Sequence, residues 1–590
     1  EILSKRGPDE DGLYFSRHAN LAHRRLSIID IDNGKQPMRY SIDGSTYTIV
    51  YNGQLYNCDE LKKVLVENGF KFKGHSDTEV LLKAYIFYGK DVCKHLNGIF
   101  AFAIWNDKKE ELFVARDHFG IKPFYYFIKE DNFIFASEIK AILEHPLCKP
   151  ILDKQGIHEL FGIGPSHTPG ISPFKGILEL EPAHFIVYNK ESFRKEEYWK
   201  LETKEHTDDL EQTCEKIRYL LKDSVERQLT SDVPIGTLLS GGLDSSIISK
   251  YAKDYYKREY GEKLKTFSVD YVDQEKNFVK NDFQPNTDNY YIDLMVNFLG
   301  TEHKKIILDT PELFGSLEDA MIARDFPGMA DVDSSYLLFF KNLKKDITVT
   351  LSGECSDEIF GGYPWYFRED ALNSNTFPWS IAIDERQNLL NKDIAHEIDL
   401  RNYIEKRYND SISKVEFLEN DTEDNKTHRK LIYLTLNWFM QTLLDRTDRM
   451  CMFNGFEVRV PFCDYRIVEY AWNIPWEMKA YKGREKGLLR YAFEGILPEE
   501  VVYRKKSPYP KTHNPNYMKI VKKELSKIME DKSAPINELL NREYILEIIE
   551  TEGKAFTRPW FGQLMTGPQL MAYLIQVNQW LKRYNPKIEI

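Results

Sequence analysis

The sequence predicts a mixed α+β and α/β protein. A sandwich of stacked antiparallel sheets with helices outside (αββα) comes first, then a doubly wound parallel sheet with a helical C-terminal part. Three observations predict this. To about residue 200, short alternating apolar runs are separated by turn signals. From residue 235 onward, apolar runs alternate with helical patterns, as in a parallel sheet. The 590 residues are too many for one core, so two or more domains are the default.

In the first unit Tyr47 to Tyr51, Phe100 to Ile104 and Glu111 to Ala115 read as strands, with turns at Asn52-Gly53, Asn97-Gly98 and Asn106-Asp107. Ser76 to Tyr88 is helical, with Ser76 and Glu79 spaced as a capping box. The polar stretch Lys200 to Asp209 reads as a linker. The expected division is therefore 1–200 for the sandwich, 201–212 for the linker and 213–590 for the second unit. A helix is expected over Leu210 to Gln228, then strands at Ile235 to Leu239, Leu264 to Val269 and Ile347 to Leu351. Tyr271 to Asn289 is polar and reads as a mobile surface loop near a strand end, where loops often cover substrate. From about Thr427 to Tyr584 the pattern is mostly helical.

Charged residues are 29% and hydrophobic ones 42%, a soluble globular balance. The net charge of -12 argues against a general nucleic-acid binder. The seven cysteines are scattered without a CxxC pair, which points away from zinc and redox couples and fits a reducing cytoplasm. Apolar runs such as Ile99 to Trp105 are too short to span a bilayer, and Glu1 to Arg6 has no apolar signal region. The sequence does not open on Met, so a native N-terminus upstream of Glu1 is expected.

Ser240-Gly241-Gly242-Leu243-Asp244-Ser245-Ser246 follows an apolar run and precedes a helical one. Paired glycines let the backbone approach an anion, and the amides opening a helix then point at it. Asp244 cannot bind phosphate directly, so its expected role is to hold a divalent cation that does. The Gly-Lys-Ser/Thr ending of the Walker loop is absent, which favours a loop gripping pyrophosphate in an enzyme that cleaves ATP to AMP. A second cluster, Leu351 to Tyr363, puts Glu354, Asp357 and Glu358 after another strand. Three carboxylates in five residues repel unless a cation or basic group sits among them. Two such turns after neighbouring parallel strands would face one crevice. Asp448-Arg449-Met450, Glu457 to Asp464 and Lys482 to Lys486 follow; a buried Lys or Arg from this region could stabilise a pentavalent phosphate transition state.

Taken together these motifs resemble the glutamine-dependent asparagine synthetase family, over nearly the whole chain. SGGLDSS at 240–246, SGExSDEIFGGY at 352–363 and DRM…EVRVPFCD at 448–464 match in order. So do Arg6-Gly7-Pro8-Asp9, His23 to Asp30, Asn52 to Asn57, Ser76 to Glu79 and Ala115-Arg116-Asp117 with Gly120. The resemblance implies an Ntn-hydrolase-type glutaminase sandwich and a Rossmann-like ATP-pyrophosphatase unit. It implies ATP and Mg2+, with Ser240, Gly241, Gly242, Asp244 and Ser245 on pyrophosphate and metal. Leu238 and Val269 would line the adenine and ribose pocket, Ser352 and Gly353 would touch nucleotide, and Asp357 would complete the metal site. Glu354 would position or deprotonate ammonia, while Lys486 and Arg449 would neutralise phosphate charge. For glutamine, Arg25 would pair with the α-carboxylate and Asp77 with the α-ammonium, and Asn52 with the Gly53 amide would form the oxyanion hole. The partners implied are small molecules (glutamine, ATP, aspartate or another carboxylate), with no nucleic acid and no membrane; a homodimer is a further expectation, and the place a cytoplasm.

Four departures bear on function. The family's N-terminal nucleophilic cysteine is not in this sequence, whose first cysteine is Cys58. The chain as written is therefore expected to lack glutaminase activity while keeping ammonia-dependent synthesis. Gln54 stands where the family usually has Glu, which removes a charge near the glutamine ammonium. Cys355 stands where many relatives have Gly, so a negative φ is expected there. Pro327 to Ser335 holds two acids and no base, which leaves aspartate's α-carboxylate without its cation unless Tyr503 to Lys511 supplies one. Amidation of another carboxylate, such as diaminopimelate in cell-wall precursors, is the alternative. tRNA-thiolating or lysidine-type chemistry shares the SGGxDS loop but predicts a basic face or catalytic cysteines. A degenerate, non-catalytic binding protein is the reading of another class, against which Asp244, Asp357, Arg449 and Lys486 stand intact.

Overall fold

The computed structural model describes residues 1–278, 287–556 and 558–590. In the N-terminal half a six-stranded antiparallel sheet runs in the order Ser192–Glu197, His184–Asn189, Glu111–Arg116, Gly98–Asn106, Ser45–Leu55, Met38–Ile42. Strand period two sorts its side chains onto two faces. Ile49, Tyr51, Phe100, Phe102 and Ile104 pack on helices Cys58–Glu67 and Asp77–Tyr88 through Leu61, Leu65, Val80 and Leu81. The alternate residues Val50, Ala101, Ala103 and Trp105 face a second layer that includes Tyr14, Leu21, Tyr126 and Leu180. That layer contains the hairpin Glu10–Phe15/Asn20–Arg25 and a three-stranded sheet, Ile177–Glu179, Tyr125–Lys129, Asn132–Ala136. Each large side chain so buried contributes about 1.5–3 kcal/mol, which is why alternation fixes the sandwich.

Two local expectations fail here. Asn52-Gly53 is not a turn; it lies inside Ser45–Leu55, opposite Ala101 and Phe100. A Cβ on Gly53 would sit 2.1 Å from the Ile99 carbonyl oxygen, so the glycine serves close backbone approach. Nor does the capping box close. Ser76 accepts from the Thr78 amide, but Glu79 accepts from the Lys73 and Gly74 amides and from Lys83 Nζ.

The C-terminal half holds a five-stranded sheet, all parallel, in the order Glu302–Leu308, Lys265–Tyr271, Ile235–Leu238, Val349–Leu351, Glu457–Arg459. Strand order reverses between Ile235–Leu238 and Val349–Leu351, which opens a crevice at their carboxyl ends. The two edge strands escaped the sequence pattern. Glu302–Leu308 is half charged, and Glu457–Arg459 has only three residues within a helical region. Of the expected loop Tyr271 to Asn289, residues 279–286 lie outside the described residues; before them the strand ends at Tyr271 and a short helix, Gln274–Asn277, follows.

Helix Leu210–Gln228 starts at a capping box of Asp209 with Gln212. Helix Gly567–Tyr584 is buried along most of its length, and its Gln576 is satisfied by the Gly328 amide and the Leu317 carbonyl. The halves are tied by buried charges. Arg6 reaches Asp448 at 2.9 Å, Lys122 reaches Asp448 at 3.1 Å, and Lys140 bridges Glu138 and Asp325. The strand Lys587–Glu589 pairs in parallel with Ile151–Asp153 of the first half. No helix among the described residues is long and apolar enough to cross a membrane.

Candidate active site

The crevice at the strand-order reversal is a cavity of about 240 Å³. Ser240 to Ser245 closes one side, leading from the central strand into helix Leu243–Glu259. Gly241 adopts φ +67°, and a Cβ there would sit 2.5 Å from the Tyr291 backbone; it packs behind the lining rather than on it. Ser245 Oγ lies 3.1 Å from Ser240 Oγ and donates to the Gly242 carbonyl, which sets the turn. The opposite side is Ser352 to Asp357, after the neighbouring strand. A Cβ on Gly353 would meet the Ser245 amide nitrogen at 2.9 Å, so the two turns touch backbone to backbone. Leu238 and Val269 also line the cavity.

One cation links the acids. Lys486 Nζ lies 2.8 and 2.7 Å from the two oxygens of Asp244, and 2.8 Å from Asp357 Oδ1. Ser356 Oγ donates to Asp244 at 2.7 Å, and Lys506 pairs with Asp357 Oδ2. Burial alone would raise the Asp357 pKa, but Lys486 and Lys506 overcome it and hold the carboxyl well below its ordinary range. Its neighbour Glu358 is pushed up to about 7 by burial and by the Asp357 charge, and accepts from Tyr363 OH. Thus the repulsion expected among the three carboxylates is relieved by two lysines and one raised pKa.

Glu354 projects into the same cavity. It accepts from Arg446 Nη2 at 2.9 Å, from Thr447 Oγ1 at 2.8 Å and from Tyr336 OH at 3.1 Å. Arg446 stacks over the Tyr336 ring at 4.3 Å. Sequence reading missed Arg446 and Thr447; their nearness in sequence to Asp448-Arg449 was the available signal. Arg449 itself is a correction. It does not line the cavity; it is fully buried against Asp445 at 3.0 Å, Glu138 at 3.7 Å and the Tyr125 ring. Cys355 is another: its φ is +75°, the left-handed region that glycine favours, and its thiol is buried.

The metal expected at Asp244 and Asp357 can be tested against this geometry. Asp357 Oδ1 is buried and makes an ion pair without a hydrogen bond, and one ammonium sits within 2.8 Å of both carboxylates. Two carboxylates meeting at one point are donors that a hard cation would take, and Asp244 and Asp357 are the residues that would hold it.

In the N-terminal half Arg25, Asn52, Gly53, Gln54 and Asp77 line one cavity of about 980 Å³, with Glu457 of the other half. Asn52 Nδ2 is buried without a partner. Arg25 donates to Glu10 at 2.7 Å and to the carbonyls of Ile29, Asp30 and Ile31. Burial pushes Asp77 up to about 6, although it accepts from Tyr51 OH and the Leu55 amide. Gln54 accepts from Arg459 Nη2 at 3.4 Å, a contact between halves.

Fold and cavities define a two-part molecule, an antiparallel sandwich and a parallel-sheet half, each with its own cavity. Comparison with known proteins gives the family. The asparagine synthase family matches residues 216–582 and the glutamine amidotransferase domain family residues 1–199. Asparagine synthetase [glutamine-hydrolyzing] 3 of Bacillus subtilis (strain 168) is 48% identical over 589 residues, covering 100% of this chain and 96% of the relative. Asparagine synthetase [glutamine-hydrolyzing] 1 of the same organism is 32% identical, over 86% and 82%. Asparagine synthetase B [glutamine-hydrolyzing] of Escherichia coli (strain K12) is 29% identical, over 86% and 77%. The chain belongs to the asparagine synthase family.

Proposed function

We propose that the chain amidates aspartate to asparagine with ATP, through β-aspartyl-AMP, using ammonia; glutamine is the donor in the family, and the first half carries the residues that would bind it. The observation that carries it is the Asp244–Lys486–Asp357 bridge between two glycine turns at one crevice. The aspartate β-carboxylate attacks the α-phosphate and pyrophosphate leaves; ammonia then attacks the acyl carbon and AMP leaves. The amides and hydroxyls of Ser240 to Ser245 grip the leaving pyrophosphate. Asp244 and Asp357 would hold Mg2+, which would neutralise charge on the phosphates. Lys486 supplies the same service from the protein.

Glu354, oriented by Arg446 and Thr447, faces the acyl carbon and takes the proton that ammonia sheds. Arg25 and Asp77 hold the two ends of glutamine, and Asn52 with the Gly53 amide holds the oxyanion. The division at 1–200, 201–212 and 213–590, the cytoplasmic place and a homodimer belong to the same reading. Lys505, which lines the same cavity, is the cation proposed for the aspartate α-carboxylate, since Pro327 to Ser335 has none.

The test is pyrophosphate release from ATP and Mg2+ with aspartate and ammonium chloride, without glutamine. Aspartate-dependent release is expected. Release with diaminopimelate and none with aspartate would replace the substrate.

A further inference from the structure

Asp232 stands just before the central strand of the parallel sheet, Ile235–Leu238, but its bonds reach back into the first half. Its amide donates to the Ile28 carbonyl at 3.0 Å. Its Oδ2 accepts from the Asp30 amide at 2.8 Å and lies 2.8 Å from His75 Nε2. Asp30 carries the tie one step further. Its own Oδ2 accepts from the His75 and Ser76 amides at 2.7 and 3.0 Å, and its Oδ1 accepts from Asn33 Nδ2 at 2.9 Å. Its φ is +48°, a conformation Asp can hold when its carboxylate bonds to nearby amides. Both segments so tied lead to a proposed glutamine ligand. The Ile29, Asp30 and Ile31 carbonyls receive Arg25 at 3.0, 2.9 and 2.8 Å. His75 and Ser76 run directly into Asp77, the first residue of its helix. Packing is tight on both sides: a Cβ on Gly34 would sit 2.2 Å from Arg25 Nη2, and one on Gly74 2.0 Å from Asp30 Oδ2.

We infer that Asp232 is a positioning residue for glutamine: from the second half it fastens together the loop that aims Arg25 and the turn that presents Asp77. This rests on the reading above that Arg25 and Asp77 hold glutamine. The α-carboxylate and α-ammonium of an amino acid lie at a fixed separation, so the groups that grip them must be held at a matching one. A site whose supporting bonds leave it loose by about 1 Å loses that match. Arg25 and Asp77 come from different elements, the strand Asn20–Arg25 and the helix Asp77–Tyr88. Asp30 joins the two segments within the first half. Asp232 bonds to both of them, through the Asp30 amide and the His75 ring, and anchors the pair to the parallel sheet.

The experiment is calorimetric titration of the full chain with L-glutamine and with 4-carbamoylbutanoate, which is glutamine without its α-ammonium. Wild type is expected to bind L-glutamine and to discriminate against the analogue. The Asp232 side chain is 41% exposed, so its replacement leaves the core intact. Asp232→Ala is expected to bind L-glutamine at least about tenfold more weakly and to narrow the discrimination. Asp232→Asn, which keeps an oxygen for the Asp30 amide, is expected to stay within about threefold of wild type. An Asp232 that only braces the junction would lower the melting temperature of Asp232→Ala and leave its glutamine affinity and discrimination at wild-type values; that result overturns the inference alone. Wild type that binds no L-glutamine, or binds it no differently after Arg25→Ala and Asp77→Ala, would overturn the glutamine reading together with it.

Discussion

Cys355 packs a buried thiol into a left-handed backbone between Glu354 and Ser356, two residues before Asp357. A residue with a Cβ pays about 1–2 kcal/mol for that conformation. Cys355→Gly and Cys355→Ala both remove the thiol, but only glycine relieves the backbone. The glycine variant is expected to be more stable than the alanine variant by about 1 kcal/mol in urea denaturation; equal midpoints would refute a strained turn. At this scale the sequence made contiguous groups readable. Ser240 to Ser245 and Ser352 to Asp357 each declare themselves because neighbours in sequence stay neighbours in a turn. Arg446 and Thr447 did not, because their partner Glu354 is 92 and 93 residues away. Arg449 was misplaced for the same reason: its partner Glu138 belongs to the other half.

The helix Asp77–Tyr88 buries its own first residue. Asp77 titrates at 3.8 ordinarily and about 6 when folded. The folded form therefore holds its proton more tightly. Its contribution is fully present below pH 4 and is lost as pH rises through about 6, a change of about 3 kcal/mol. Asp77→Asn removes that dependence. The stability of wild type minus variant, from urea midpoints, is expected to fall by about 3 kcal/mol between pH 4 and pH 7; a flat difference would show that Asp77 is not desolvated. The start of Leu210–Gln228 was legible as the end of a polar stretch, while the capping box that fixes it, Asp209 with Gln212, was not read from the sequence. Asn52-Gly53 misled because the dipeptide that makes a tight turn also allows one backbone to press on another. Glu457–Arg459 was hidden by its length, since three residues carry no period.

Across the whole molecule, Asp448 answers two cations of the other half, Arg6 and Lys122, all nearly dry. Asp448→Asn leaves both cations short of charge, and the expected loss is about 3–5 kcal/mol, insensitive to salt. Calorimetry reads it as a lower melting temperature, with both halves unfolding together; an unchanged transition would mean the halves do not depend on this contact. The two-part architecture was visible in composition and motif order, but which charges join the parts was not, since pairing over hundreds of residues leaves no local pattern. That same distance has a consequence in time. Arg6 and Asp448 are 442 residues apart, so at about 5–20 residues per second the ribosome delivers the acid roughly 20–90 seconds after the base. Throughout that wait the nascent first half leaves open the apolar side chains that its partner will cover, Phe119, Ile121, Leu160 and Phe174 among them, and an uncovered apolar face is one to which other unfinished chains adhere.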